Sequence, residues 1–520
     1  MATAELSGAG TDTPAAPRAL PLIVFAAGAG SLATEICASR LLAPYFGNTT
    51  VVWANVIGLI LVYLSVGYWL GGRVADRHPR PTVLGGILLV AAAAITVLPF
   101  VAHPFLQLAL QGFSALSIGV VAGSFFATLL LFSVPVSLLG MVSPFAVRLA
   151  VRDVRTAGSV SGRLSSLATL GAIVGTFVPA LVLIPAIGTQ RTLLSAALLV
   201  SLAAMPLLPR RAPIVAVLVG ALMLLPPATV KPVAGAVLEQ ETRYQYVQVV
   251  KAEDGRTTLR LDDGLADQSV YRPGTVLTGG EWDMPLILPP LLEHPMRRAL
   301  VIGNAGGTMA RALAHEYPGV RIDGVEPDPA VSDIGRALLG MGAVPGLQVF
   351  EGDGRAFLAT TTARYDLIII DAYRQAYVPF WLVTQEFFGV ARAHLNGGGA
   401  IAFNMARVPG DDRLAQAVSG TLATVFPDTR VWPALSFNEL VIGFDRPISS
   451  TTLHIRLGML PAELQSLVPL VSSQLVTVVA ASSPLTDDHA PVEWLTDRAL
   501  LEEIQAGGHF NEALLPTRPG

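Results

Sequence analysis

Apolar residues in this chain fall into two regimes that meet near Leu238. Ahead of that point they run in long blocks without a polar face, at roughly 21–44, 51–71, 82–101, 118–141, 164–187, 192–208 and 212–229. Each block is close to the ~20 residues an α-helix needs to cross a bilayer. From Pro81 to Val147, 67 residues pass without an Asp, Glu, Lys or Arg, which leaves a soluble core no solvated face. The pattern predicts a polytopic α-helical membrane domain over 20–230, with six or seven transmembrane helices. Residues 1–19, rich in Ala, Thr and Pro, are expected to be disordered. They lack the basic start and small-residue cleavage site of a removable signal peptide.

Beyond Leu238 the period changes. Tyr244–Val250 and Thr257–Leu261 alternate apolar and polar positions, and Glu253-Asp254-Gly255 between them supplies turn chemistry, so a small β-hairpin subdomain is expected over 238–280. Short apolar runs then alternate with helical patterns. Strand 298–302 leads into the glycine turn 303–308 and helix 309–316; strand 320–325 ends in Glu326-Pro327-Asp328-Pro329. Strands 347–350, 365–370 and 400–404 follow, with a helix over 380–395. Such alternation specifies an α/β doubly wound parallel sheet, here over 281–510.

Composition sharpens the division. Charged residues make up 14% of the 520-residue chain, well under the roughly one quarter of ordinary soluble proteins, and they concentrate after residue 240. A net charge of −4 gives no reason to expect nucleic acid as a partner. Cys37 is the single cysteine, so the chain has no internal disulfide. Arg73, Arg77 and Arg80 follow the second block, Arg148, Arg152, Arg155 and Arg163 the fourth, and Arg210 and Arg211 the sixth; the connections at 45–50 and 102–117 carry no Lys or Arg. Arg-bearing loops face the cytoplasm, which puts the N-terminus inside a cell (inner) membrane. Seven complete crossings would then deliver the C-terminal part outside. The seventh block is the weakest and ends in Pro226-Pro227, so a cytoplasmic C-terminal part is expected.

Two features of the apolar half invite chemistry. Glu35 and Arg40 lie within its first block, and ionisable groups at membrane depth suggest a buried pair or a pathway. The alternative is an arginine that extends to the interface and a glutamate in a protein-lined gap. Gly71–Arg77 resembles the basic loop after the second helix of major-facilitator transporters, but seven blocks fall short of that family's twelve helices.

In the second half the chemistry gathers at the C-terminal ends of the strands, where doubly wound folds bind ligands. The glycine turn with Gly303 and Gly306 lets backbone approach a ligand, and Glu326, 20 positions after Gly306, suits ribose hydroxyls. Asp353, with Gly354, suits an adenine amino group; Asp371 ends the fourth strand near where a reacting carbon would lie. The turn lacks the full G-x-G-x-x-G that seats a pyrophosphate, so an S-adenosyl ligand is favoured over NAD.

Residues 240–406 resemble the spermidine synthase (polyamine aminopropyltransferase) family in its membrane-fused bacterial branch. The resemblance is carried by Tyr244-Gln245, Asp263-Gly264 with Gln268, Pro289-Pro290-Leu291, Val325–Pro329, Gly352–Phe357 and Tyr365–Asp371. Leu485–Glu493 and the stretches Glu35…Arg40–Pro44 and Gly71–Arg77 extend it to most of the chain. It implies a Rossmann-like fold of the S-adenosylmethionine-methyltransferase type. It also implies that Glu326 holds ribose, Asp353 adenine, and Gln245 the sulfonium nucleotide from a lid. Asp371 would orient or deprotonate an amine that attacks the propyl carbon of decarboxylated S-adenosylmethionine, releasing methylthioadenosine. No tightly bound cofactor is implied; a homodimer is. Three positions depart from the family pattern: Ala305 stands where an Asp is expected in the glycine loop, Arg374 where a second Asp follows the fourth strand, and Trp282-Asp283-Met284 where Tyr-His-Glu is expected. Gln268, Asp283, Tyr373, Asp487 and Asp488 are the candidates for the substrate side, and no metal site is expected.

Three functions remain open on the residues. The first is an aminopropyltransferase with a membrane anchor. The second is a methyltransferase that uses intact S-adenosylmethionine on an amphiphilic substrate. The third is a transporter or sensor that binds nucleotide or polyamine without turnover. All three share a small-molecule ligand and a lipid bilayer.

Overall fold

A computed structural model describes residues 17–47, 50–114, 119–208, 213–227, 230–264, 266–373, 377–505 and 515. Arg210, Arg211, Arg374 and residues 1–16, on which expectations above rest, lie outside the described residues. The chain divides into two compact units, a helical one formed by residues up to Leu42, Val51–Ala109 and Gly123–Val230, and an α/β one from Lys231 onward that also takes in Ala43–Thr50 and Leu110–Ala122.

In the helical unit, the apolar blocks form α1 (Leu20–Phe46), α2 (Thr50–Arg77), α3 (Pro81–Ser114), α4 (Gly119–Gly140), α5 (Val142–Ala150), α6 (Ala157–Val178), α7 (Ile184–Ala204) and α8 (Pro213–Met223). Among the described residues, five helical stretches are long and apolar enough to cross a membrane, and the last of them, Val154–Leu207, runs for 54 residues. That stretch is two helices in succession, because Gly188, at φ 80 and ψ 166, has left the helical region. The seventh block condenses into an α8 of 11 residues, about 16 Å at 1.5 Å per residue, half of a ~30 Å hydrocarbon core. Arg191 Nη2 donates to Leu225 O at 3.4 Å, so the chain after α8 returns to the level where α7 begins.

The surface of this unit reverses the soluble pattern. Leu61, Val62, Trp69, Leu130, Val134, Leu170, Phe177 and Leu181 are all exposed on the long helices. Small residues allow the helices to touch: a Cβ on Gly171 or Gly175 of α6 would lie 2.0 Å or 2.2 Å from a carbonyl oxygen of α1, so only glycine fits there. Arg148, near the end of α5, meets Asp76, near the end of α2, with Nε–Oδ1 at 3.1 Å. Two of the Arg-bearing ends therefore lie together. Glu35 and Arg40 are half-buried on α1.

The α/β unit begins with four antiparallel strands in the order β1 (Ala236–Glu241), β2 (Tyr246–Lys251), β3 (Thr257–Leu261), β4 (Asp267–Tyr271). The expected hairpin is its centre, β2 pairing β3 with Lys251 opposite Thr257. The flanking strands had escaped notice because AVLEQE and DQSVY carry no apolar alternation. The small sheet packs Val247, Val249 and Leu259 on Val331, Ile334 and Leu339.

The main sheet has eight strands, in the order β12-β10-β11-β9-β8-β5-β6-β7, formed from β5 (Arg298–Ile302), β6 (Arg321–Glu326), β7 (Leu347–Glu351), β8 (Tyr365–Ile370), β9 (Leu395–Ala406), β10 (Asp428–Trp432), β11 (Asn438–Phe444) and β12 (Val476–Thr477). Strands β7, β6, β5, β8 and β9 are parallel neighbours, and β11 runs antiparallel to β9. From β5 the chain winds outward one way through β6 and β7, then returns to β8 on the other side. The switch point therefore falls between β5 and β8, the crevice where such sheets take ligands. The long apolar runs reflect burial on both faces: Ala299, Val301, Ile322 and Ile369 meet Met309, Leu313 and Leu453–Val471 on one, and Leu300, Ile302, Ile368 and Ile370 meet Leu358, Phe387, Val418 and Leu422 on the other. The covering helices are α9 (Thr308–Glu316), α10 (Pro329–Leu338), α11 (Gly354–Thr360), α12 (Gln385–Ala393), α13 (Arg413–Val425), α14 (Ser450–Leu457), α15 (Val468–Gln474) and α16 (Val492–Gln505). Predicted helix 380–395 is α12 preceded by a separate 3₁₀ turn at Phe380–Leu382.

Candidate active site

Gly303 closes β5 with φ +86, and a Cβ there would lie 2.1 Å from the carbonyl oxygen of Asp371. The position needs glycine on both counts, and the contact holds the ends of β5 and β8 together at the switch point. Asp371 N donates to Ile302 O at 2.8 Å, closing the same seam. Ala305 takes φ +42, a left-handed conformation that a non-glycine residue adopts with strain. The turn is anchored from the small sheet, since Gly306 N donates to Ser269 Oγ at 2.8 Å.

Glu326 ends β6 buried beneath that turn. Its two oxygens accept from Ala305 N at 3.0 Å and Asp328 N at 3.1 Å. Burial pushes its carboxyl up to about 7, while those two N–H donors pull the other way. Asp328 caps α10 by accepting from Ala330 N, and its other oxygen accepts from Thr242 Oγ1 at 2.6 Å and Gln245 Nε2 at 3.4 Å. Gln245 in the β1–β2 turn is thereby brought beside the end of β6.

Asp353 is exposed after β7. It caps α11 through Ala356 N at 2.9 Å, and its second oxygen accepts from Trp381 Nε1 at 2.9 Å. Arg355 in the same turn grips Asp487 through two bonds, at 2.7 Å and 2.6 Å, and Thr384 Oγ1 also donates to Asp487 at 2.8 Å. The Arg355 guanidinium holds the Asp487 carboxyl below its usual range. Asp487 thus ties the segment between β12 and α16 to the Asp353 corner.

Asp371 lies half-buried at the end of β8, where burial pushes its carboxyl up to about 6 and one hydrogen bond opposes that shift. The donor is Asn404 Nδ2 at 2.8 Å; Asn404 Oδ1 in turn accepts from Asn438 Nδ2 at 2.9 Å. Tyr373 is pinned to β9, donating to Asn404 O at 2.7 Å and accepting from Ala406 N at 2.6 Å. Burial raises its phenol, the Ala406 N–H opposes that, and the negative charges of Asp371, Glu281 and Glu439 raise it further. Three carboxylates therefore act on one spot beside the switch point. Glu439 is 6% exposed and pushed up to about 7, first by burial, with Arg407 opposing.

Some expected residues stand elsewhere. Asp283 is fully buried and spends its carboxylate on a turn, accepting from Thr278 N at 2.9 Å and Gly279 N at 2.6 Å, which removes it from the substrate side. Asp488 is exposed, and Gln268 is half-buried on β4 next to the inward Ser269. Sequence reasoning missed Ser269, Trp381, Asn404, Glu281 and Glu439. Asn404 alone had a signal, its place at the end of a predicted strand.

Residues 286–435 match the spermine/spermidine synthase domain family. The resemblance read from the sequence is borne out over this C-terminal part. A probable polyamine aminopropyl transferase of Bifidobacterium longum is 33% identical over 50% of this chain and 62% of its own length. A polyamine aminopropyltransferase of Vibrio vulnificus is 30% identical, over 32% of this chain and 58% of its own length. The chain thus spans about three fifths of these two relatives. The polyamine aminopropyltransferase of Corynebacterium efficiens is 27% identical over 66% of this chain and 73% of its own length, so the similarity reaches into the apolar half. A crystal structure of a probable spermidine synthase from Corynebacterium glutamicum superposes with a TM-score of 0.38 at 18% identity, covering 52% of this chain and 94% of that one.

Proposed function

With a spermine/spermidine synthase domain in its C-terminal part as the premise, we propose that this protein is a polyamine aminopropyltransferase. An amine attacks the propyl carbon next to the sulfonium of decarboxylated S-adenosylmethionine. A new C–N bond forms, the C–S bond breaks, methylthioadenosine leaves, and the proton lost by the amine passes to Asp371. The observation that carries the reading is Asp371 itself: a carboxylate with its pKa pushed to about 6, aimed by Asn404 and joined to the glycine turn at the switch point. A base in that range is ionised near neutral pH and can still accept a proton in the transition state. Glu326 holds the ribose hydroxyls, Asp353 the adenine, and Gln245 closes over the nucleotide. Glu281 and, as pH rises through about 7, Glu439 supply the negative charge that a cationic amine needs, in place of the carboxylates absent at Ala305 and Arg374.

The purified full-length chain, supplied with decarboxylated S-adenosylmethionine and a diamine, is expected to release methylthioadenosine. Asp371→Asn should lower turnover about a hundredfold or more while nucleotide binding survives. Preference for intact S-adenosylmethionine, with a methylated product, overturns the reading in favour of a methyltransferase.

The exposed apolar helices and the pairing of Arg148 with Asp76 support a membrane-embedded helical unit with its Arg-bearing ends in the cytoplasm. An α8 of 11 residues, half a span, supports a cytoplasmic catalytic part. The Arg191–Leu225 hydrogen bond favours a second reading, in which α8 and its following turn complete a seventh crossing. A reporter fused after Gly520 decides: fluorescence of a cytoplasm-dependent protein supports the first reading, and activity of an export-dependent phosphatase the second.

A further inference from the structure

At the end of α9 away from the glycine turn, His315 and Glu316 meet Glu463 of the 3₁₀ turn Ala462–Leu467. His315 Nε2 lies 3.9 Å from Glu316 Oε1 and 3.8 Å from Glu463 Oε2, and the three ligand atoms are all within 4.8 Å of one another. The Glu316 side chain is 3% exposed, yet no N–H or O–H donor reaches its Oε1; Glu463 Oε2 is likewise shielded and without such a donor, and the two carboxyls face each other closely enough to interact directly. Buried carboxylate oxygens are otherwise paired, because an unmade bond to a charged group costs more than about 1–3 kcal/mol. Two such oxygens facing one imidazole nitrogen describe a space meant for a positive charge.

The geometry points to a divalent metal site of the zinc class, with His315, Glu316 and Glu463 as ligands and a water in the remaining position. The donor set of one imidazole and two carboxylates suits zinc and its neighbours. Ligand atoms on a tetrahedral ion at roughly 2.0–2.1 Å are about 3.3 Å apart, so the two spacings from His315 Nε2 close by about 0.5–0.6 Å on binding. His315, 47% exposed, is free to make that movement. Two carboxylates cancel the ion's charge, and the carbonyl end of α9 adds negative potential. The site would clip the segment carrying Glu463 onto α9, the helix that begins at the glycine turn, and it is independent of the proposed reaction.

The test uses the full-length chain in detergent, stripped with a chelator and titrated with Co²⁺ as an optical probe. One equivalent is expected to bind with the strong visible absorption of a tetrahedral ion, to be displaced by Zn²⁺, and to raise the melting temperature. His315→Asn and Glu463→Gln, both at partly exposed side chains, should each weaken binding about tenfold or more, with far-ultraviolet circular dichroism and nucleotide affinity unchanged. Absence of saturable Co²⁺ absorption, or equal affinity in both variants, overturns the site and leaves a proton shared between the two carboxyls.

Discussion

Asn404→Leu removes the hydrogen bond that keeps Asp371 acidic, together with the acceptor of Asn438 Nδ2 on the far side from Asp371. The substitution nearly conserves volume at a 2% exposed position and leaves the main-chain carbonyl that receives Tyr373 in place. It removes the Nδ2 donor that lies 2.8 Å from Asp371 Oδ1. A hydrogen bond to a charged group is worth about 1.5–3 kcal/mol, and about 1.4 kcal/mol corresponds to one pKa unit. The carboxyl, already held at about 6 by burial, should therefore rise by about one to two units, into the range of about 7–8. At pH near 6 the ionised fraction would fall from about half to a tenth or less, by the same arithmetic. The assay is kcat/KM for methylthioadenosine release between about pH 5 and 9, since that profile reports groups of the free enzyme. The acid limb is expected to move up by one to two units (about that, on the same hydrogen-bond energy), with the alkaline plateau largely kept. A limb that stays in place while the plateau drops would refute the view that Asn404 acts through the protonation of Asp371.

Other expectations follow from the same geometry. Glu326→Gln replaces an oxygen that accepts from Ala305 N or Asp328 N by an amide that donates, so nucleotide affinity measured by calorimetry should fall about tenfold or more; unchanged affinity removes Glu326 from the ribose site. Gly303→Ala sets a Cβ 2.1 Å from Asp371 O at φ +86, and should abolish both nucleotide binding and turnover with a lowered melting temperature; a variant that melts normally contradicts the close approach. Glu326 and Glu439 at about 7 and Asp371 at about 6 are raised above the ordinary carboxylate range. Their contribution to stability is complete below the unfolded values near 4 and is lost as pH rises through the folded ones, so the ligand-free chain should melt higher at about pH 5 than at about pH 8. A midpoint that declines steadily towards acid contradicts that assignment.

Much of the α/β unit was legible because its information is local. Ile302 and Ile370 sit in runs apolar on both sides, which mark buried parallel strands, and each run ends directly in Gly303 or Asp371. The amine side was legible only at Tyr373, because Glu281 and Glu439 come from a 3₁₀ turn and a late antiparallel strand that share no motif with it. Asp283 misled for the same reason, since nothing in Trp282-Asp283-Met284 says that its carboxylate is consumed by Thr278 and Gly279. In the helical unit, hydropathy located the apolar blocks but not their ends. The break at Gly188 and the shortness of α8 depend on backbone angles and packing that block length does not record.

The clasp between Arg355 and Asp487 joins positions 132 residues apart. A ribosome adding about 5–20 residues per second needs about 7–26 s to travel that distance. During that interval β8 to β12 are made and can add to β5, β6 and β7, which precede Arg355, while the turn bearing Asp353 waits for the partner that fastens Arg355. The turn that bears Asp353 in each new chain is thus fastened by a segment made long after it, and a chain stalled or cut before Asp487 should carry a sheet but a loose Asp353 turn.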